Sequence, residues 1–163
     1  MHTVNIGSFT RESLVLSPTG DREPVIDIVP HQITTRKRME VPGIRGGLVV
    51  ADTERDILKL AVVERHCASG NVGLGLVRGF GLKRGALASS VAHDSHNVIS
   101  VGAGDEDMYR AVKEVERLEG GLVVACEGRI MASLALPVAG LLSGEHPRMV
   151  AEKIEELNQM AIA

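Results

Sequence analysis

Within the stretch SSVAHDSHNVISV the sequence places His93, Asp94, Ser95, His96 and Asn97 in consecutive positions between two apolar, strand-like runs. The flanks predict a strand, a turn and a second strand, so the two imidazoles would meet across a tight turn rather than along a helix face. Three kinds of chemistry fit these residue types. His93, Asp94 and His96 could converge as an open three-ligand metal site. The same side chains could serve as a polar cluster that touches a substrate or orders groups beside it. Equally, Asp, Ser and Asn are the residues that turns use to hydrogen-bond their own backbone, with a histidine held at either end. The spacing alone leaves all three open.

Other catalytic templates are absent from the sequence. It contains no Gly-x-Ser-x-Gly elbow, no Gly-x-x-x-x-Gly-Lys-Ser/Thr phosphate loop and no His-Glu-x-x-His pair. Gly73, Gly75 and Gly79 are spaced one residue too long for a dinucleotide fingerprint, and no helix is predicted after them. The zinc deaminase signature, His-x-Glu followed by Pro-Cys-x-x-Cys, is missing, because Cys67 and Cys126 stand alone. Two cysteines this far apart read as free thiols of a reducing cytoplasm. Arg78, Lys83 and Arg84 read as surface ion-pairing residues, with orientation of the polar turn or pairing to another domain as the sharper alternative.

The elements that must carry the cluster belong to a chain of 163 residues, enough for a single domain over residues 1–163. It is 44% apolar and 24% charged, which excludes disordered and collagen-like classes. Phe9, Phe80 and Tyr109 are its only aromatics and the net charge is -3. A base-stacking platform and a global attraction to phosphate are therefore both lacking, and nucleic acid is not an expected partner. The cluster Arg36-Lys37-Arg38 reads as a solvated strand edge. No apolar run approaches the roughly 18 to 20 residues of a membrane span. The start MHTVNIGSFT lacks the charged-then-apolar pattern of a signal peptide. No membrane partner is expected, and the expected location is cytoplasmic.

Residues 24–42 alternate apolar and polar positions, are rich in β-branched side chains, and are punctuated by Pro24, Pro30 and Pro42, which points to edge or interrupted strands. From Asp52 the pattern suggests a helix near 54–67, capped by Asp52 or Thr53 and stopped by Gly70 or Asn71. Its apolar residues from Ile57 to Val63 nearly encircle it, so it would be buried on more than one side. Three glycine-spaced runs then read as neighbouring strands. The segment GDEDMYRAVKEVERLEGG predicts an amphipathic helix capped at Gly104 or Asp105, with Met108, Ala111, Val112, Val115 and Leu118 inward and Gly120 or Gly121 at its end. Leu122–Cys126 and Arg129–Leu134 flank a Glu127-Gly128 turn as a hairpin. Pro147 suits the first position of a last helix with Val150, Ile154 and Leu157 inward. The expected fold is α+β: an antiparallel or mixed β-sheet with about three helices packed on it.

The series AVVERHCASGNVGLGLVRGFGLKRGALASSVAHDSHNVISVGAGDEDMYRAV, Ala61 to Val112, closely resembles the C-terminal part of prokaryotic adenine deaminases of the amidohydrolase superfamily. Further shared pieces are VADTERDILKLAVVERH overlapping its start, GGLVV at Gly120 to Val124, and LPVAGLLS at Leu136 to Ser143, so the resemblance runs from about Val25 to the C-terminus. It implies an enzyme that hydrolyses adenine to hypoxanthine and ammonia with a divalent metal: manganese, iron or zinc. In that superfamily the ligands sit on a (β/α)8 barrel and begin with a His-x-His pair. This chain has no His-x-His, and a barrel needs roughly 250 residues.

The resemblance therefore implies an accessory domain that packs beside the barrel active site, with no cofactor of its own and inactive alone. Its expected partners are the barrel domain, adenine as substrate of the full enzyme, and a second copy in a homo-oligomer. His93, Asp94, Ser95, His96 and Asn97 are then candidates to face the substrate or to order groups around it, no catalytic role being carried over to them. The competing readings are a stand-alone binding or regulatory module that has lost the barrel, and a small metalloenzyme using His93, Asp94 and His96.

Overall fold

In the computed structural model, which describes residues 3–162, the first segment makes one 3-10 turn at Arg11–Leu14 and buries Val4, Ile6, Phe9 and Leu14. Four strands follow: β1 (Glu23–Ile28), β2 (Thr35–Glu40), β3 (Gly43–Arg45) and β4 (Leu48–Val50). Next come β5 (Ile57–Val63), β6 (Val72–Arg78), β7 (Ala86–Ser89), β8 (Val98–Gly102) and helix α1 (Asp105–Arg117). The chain continues through β9 (Gly121–Cys126), β10 (Arg129–Ala135) and helix α2 (Pro147–Ile162). The large sheet runs β10-β9-β7-β8-β5-β6-β1-β2, and β3 pairs with β4 separately. Its pairings are antiparallel except β1 with β6. The fold is thus α+β with a mixed sheet.

The helix expected over 54–67 is a strand. β5 lies in the middle of the sheet between β8 and β6, and both its faces are covered. Ala61 and Val63 pack beneath α1, while Leu58 and Leu60 pack with Val77, Leu82 and Val101 on the opposite face. A strand buried on both sides is apolar at every position, and periodicity cannot separate that from a buried helix turn. The capping signal is real but closes a turn instead. Asp52 Oδ1 accepts the amide of Arg55 at 3.2 Å, Asp56 takes a left-handed φ of 54°, and Asp52 bridges back to Ile57. Among the described residues two α-helices, not about three, pack on the sheet.

The three glycine-spaced runs are strands, but only β7 and β8 are neighbours, because β5 lies between β8 and β6. Gly104 caps α1, whose Asp105, Glu106 and Asp107 lie where the helix dipole favours anions. Met108, Ala111, Val112 and Val115 are fully buried against β7, β8 and β9, and full burial of a Val or Met side chain contributes about 1.5–3 kcal/mol. Lys59, almost wholly buried, donates to Asp105 at 2.5 Å and to the Leu14 carbonyl at 2.6 Å, which ties the helix start to β5 and the N-terminal segment. Glu127 and Gly128 both have positive φ, 54° and 72°, as a two-residue hairpin turn of right-handed twist requires. Pro147 opens α2, which packs on the other face of the sheet through Leu157, with Val150 half-buried. Ile154 is exposed instead, on the rim of an apolar cavity of about 300 Å³ that also touches Phe80, Leu87 and Ile99. β2 is the edge strand with Arg36, Lys37 and Arg38 exposed. Arg38 pairs with Asp27, which also accepts Arg78 Nε at 2.7 Å.

Candidate functional site

The residues from Ser90 to Asn97 connect the end of β7 to the start of β8. They lie at the end of the sheet where β5 also finishes, because β5 runs antiparallel to β8 through the pair Val63↔Val98. Each of the five sequence candidates has a distinct setting. His93 and Asp94 project outward with side chains 95% and 90% exposed, Nδ1 of the one 3.0 Å from Oδ1 of the other. Ser95 donates its amide to the His93 carbonyl at 3.0 Å, and its hydroxyl accepts the Asn97 amide at 3.4 Å. His96 donates its amide to the Ala92 carbonyl at 2.8 Å. His96 and Asn97 are half-buried, and His96 Nδ1 and Asn97 Oδ1 are buried without a hydrogen-bond partner.

Asp94 and His96 have φ of 69° and 48°, left-handed values that cost a non-glycine residue on the order of 1 kcal/mol or more. The turn brings His93 and Asp94 together at its exposed side, while His96 is half-buried. Among the described residues no group of three or more His, Cys, Asp or Glu side chains is arranged to hold a metal ion.

A second group of residues, which the sequence reading placed at the end of a helix, surrounds the turn. Beyond Val63 the chain leaves β5 with Glu64, Arg65 and His66. Arg65 is 2% exposed. Its Nε donates to the His96 carbonyl, Nη1 to the Thr3 carbonyl at 2.9 Å and Nη2 to the Ala139 carbonyl at 3.0 Å. Burial pushes its guanidinium below the ordinary value. His66 Nε2 lies 2.9 Å from the Ser95 carbonyl, as a donor of its ring N–H.

Glu64 closes the loop that carries them. Its carboxylate accepts the amides of Cys67 at 2.8 Å and Ser69 at 3.1 Å, the Ser69 hydroxyl at 2.8 Å and the His66 amide. Those donors, the Cys67 amide foremost, hold its pKa down to about 2. Ser90, fully buried, accepts the Gly121 amide at 2.8 Å and donates to the Gly140 carbonyl at 2.5 Å, binding the start of the connection to the 139–140 loop. The signal for this group was a charged triplet closing a β-branched apolar run, which marks a strand end as readily as a helix end.

The remaining charged candidates lie apart from the turn. Arg78 pairs with Asp27 and Glu40, Lys83 donates to the Thr53 carbonyl at 2.7 Å, and Arg84 lies 4.0 Å from Glu127. Cys67 and Cys126 are free thiols. No helix among the described residues is long and apolar enough to cross a membrane.

Comparison with known proteins matches residues 32–163 to the family described as the adenine deaminase C-terminal domain. An adenine deaminase of Dehalococcoides mccartyi is 48% identical over 99% of this chain, and one of Methanothrix thermoacetophila is 53% identical over 91%. A protein named adenine deaminase 2 from Carboxydothermus hydrogenoformans is 46% identical over 98%. In each case the match spans little more than a quarter of the relative, 28%, 26% and 28% of its length. By the family match and these identities, the chain belongs to the adenine deaminase C-terminal domain family.

Proposed function

We propose that this chain acts as the accessory domain of a cytoplasmic adenine deaminase, the hydrolase that converts adenine to hypoxanthine and ammonia. The catalytic barrel is the partner it packs beside, and the divalent metal of the full enzyme, manganese, iron or zinc, is held there. The His93–Asn97 turn faces the substrate. The observation that carries this reading is the turn itself, a strained connection fixed from behind by a buried arginine while His93 and Asp94 point away from the fold. Strained backbone that the surrounding structure over-determines clusters at functional sites.

The chemistry available there suits a purine. A purine presents ring nitrogens that accept hydrogen bonds and an exocyclic amine that donates them. The imidazole of His93 turns Nδ1 toward Asp94 as a donor, which leaves Nε2 of the neutral ring as an acceptor able to meet the exocyclic amine. The Asp94 carboxylate is an acceptor for an exocyclic amine. Groups that position a substrate contribute through orientation, and groups that exchange a proton with it contribute typically about 10²–10⁴-fold.

The test is His93→Ala in a full-length adenine deaminase carrying this domain, with adenine turnover followed in the ultraviolet. A fall in kcat/KM of about tenfold or more at unchanged melting temperature is expected. A value within about twofold of wild type removes His93 from the substrate side.

A further inference from the structure

The turn is expensive to maintain. Two of its non-glycine residues are left-handed, and two polar atoms, His96 Nδ1 and Asn97 Oδ1, are buried without partners. A loop carrying such costs relaxes toward solvent unless something outside it fixes its shape. Its own hydrogen bonds are local ones that many turn geometries satisfy. The contacts from outside reach the carbonyls of Ser95 and His96, and of their two donors, His66 is exposed and Arg65 is buried.

Arg65 has an unusual partner set. Among the described residues its hydrogen-bond partners are backbone carbonyls from segments far apart in sequence, Thr3, His96 and Ala139, and include no carboxylate. A planar guanidinium holds its donors in a fixed fork, so three carbonyls bound to it are held at set angles to one another. A lysine ammonium in that place would be a single point donor. The neighbouring loop is shaped to the fork, because a Cβ at Gly140 would collide with the guanidinium.

We propose that Arg65 is the positioning residue of the His93–Asn97 turn. Through the His96 carbonyl it sets the direction in which His93 and Asp94 project, and through Thr3 and Ala139 it ties that direction to the N-terminal segment and the loop before α2. Its effect on catalysis rests on the substrate-side reading above; its effect on the turn does not.

The experiment has two arms. In the 163-residue chain, nuclear magnetic resonance of the wild type should show an Arg65 Nε–H protected from solvent exchange and coupled across its hydrogen bond to the His96 carbonyl. Absence of that coupling, with the fold intact, overturns the proposal whether or not any variant folds. Arg65→Lys should then displace the Ser95, His96 and Asn97 amide signals and leave those of α1 in place. Turn signals unchanged in folded Arg65→Lys likewise overturn it.

In the full-length enzyme, Arg65→Lys should lower kcat/KM about tenfold, mainly in kcat. The double variant with His93→Ala should fall no further than the worse single variant. A shifted turn together with wild-type kcat/KM in His93→Ala sinks the substrate-side reading and leaves the positioning role standing. Impaired His93→Ala beside unaltered Arg65→Lys, in both spectrum and rate, sinks the positioning role alone.

Discussion

Glu64 shows how much of the site depends on one carboxylate that touches neither His93 nor Asp94. It gathers the amides of His66, Cys67 and Ser69, and so shapes the loop that delivers Arg65 and His66 to the turn. Its pKa is lowered to about 2 from 4.5, first by the Cys67 amide and then by Ser69. A depressed folded value contributes stability that is present above the unfolded pKa, near 4.5, and is lost as pH falls through about 2. The Cys67 and Ser69 amide resonances should therefore titrate with a midpoint near 2, and Glu64→Gln should abolish that titration. A midpoint near 4.5 would mean that the carboxylate is not gathered by these donors. At this scale the sequence was half legible. His93–Asn97 stood out because polar residues interrupt two apolar runs, whereas Glu64, Arg65 and His66 were hidden by their assignment to a helix that does not exist. Contacts that join positions 31 residues apart, as Arg65 and His96 do, leave no local spacing to read.

Strand β8 and helix α1 meet closely at Gly102, where an added Cβ would come within 2.6 Å of Met108 Cγ and 2.7 Å of Ala86 Cβ. Gly75 of β6, by contrast, faces open space. The same substitution should thus have different outcomes on two strands of one sheet. Gly102→Ala should cost about 1–3 kcal/mol by forcing α1 away from β8, while Gly75→Ala should stay within about 0.5 kcal/mol of wild type. Met108→Ala alone should cost about 2–5 kcal/mol, and the double variant with Gly102→Ala less than the sum, because the new methyl occupies the space the methionine leaves. Strict additivity in urea melts would show that these two residues do not share a contact. The glycine-spaced runs as strands, α1, the β9–β10 hairpin and the start of α2 were legible, since capping, turn and period signals agreed there, whereas the separation of β6 from β7 and β8 by β5 was not. β5 was not, because burial on both faces erases the alternation by which a strand is recognised, and the Asp52 turn imitates a helix cap.

Taken whole, the molecule is a sheet with α1 on one face, α2 on part of the other, and its most strained connection at one end. Among the described residues the outward pair His93 and Asp94 is not grouped with a third His, Cys, Asp or Glu that could hold a metal, and the chain spans only 28% of the Dehalococcoides relative it matches. The 163-residue chain supplied with manganese, iron or zinc should accordingly leave the ultraviolet spectrum of adenine unchanged beyond a metal-only blank. Addition of a separately expressed barrel portion should restore turnover, in proportion to complex formed, if the turn completes a site that the barrel begins. Metal-dependent turnover by the chain alone, abolished by His93→Ala or His96→Ala, would reverse the assignment and make the His93–Asn97 turn a catalytic centre in its own right. The two outcomes differ in where the reacting water is activated, and the requirement for the barrel portion distinguishes them in one set of assays.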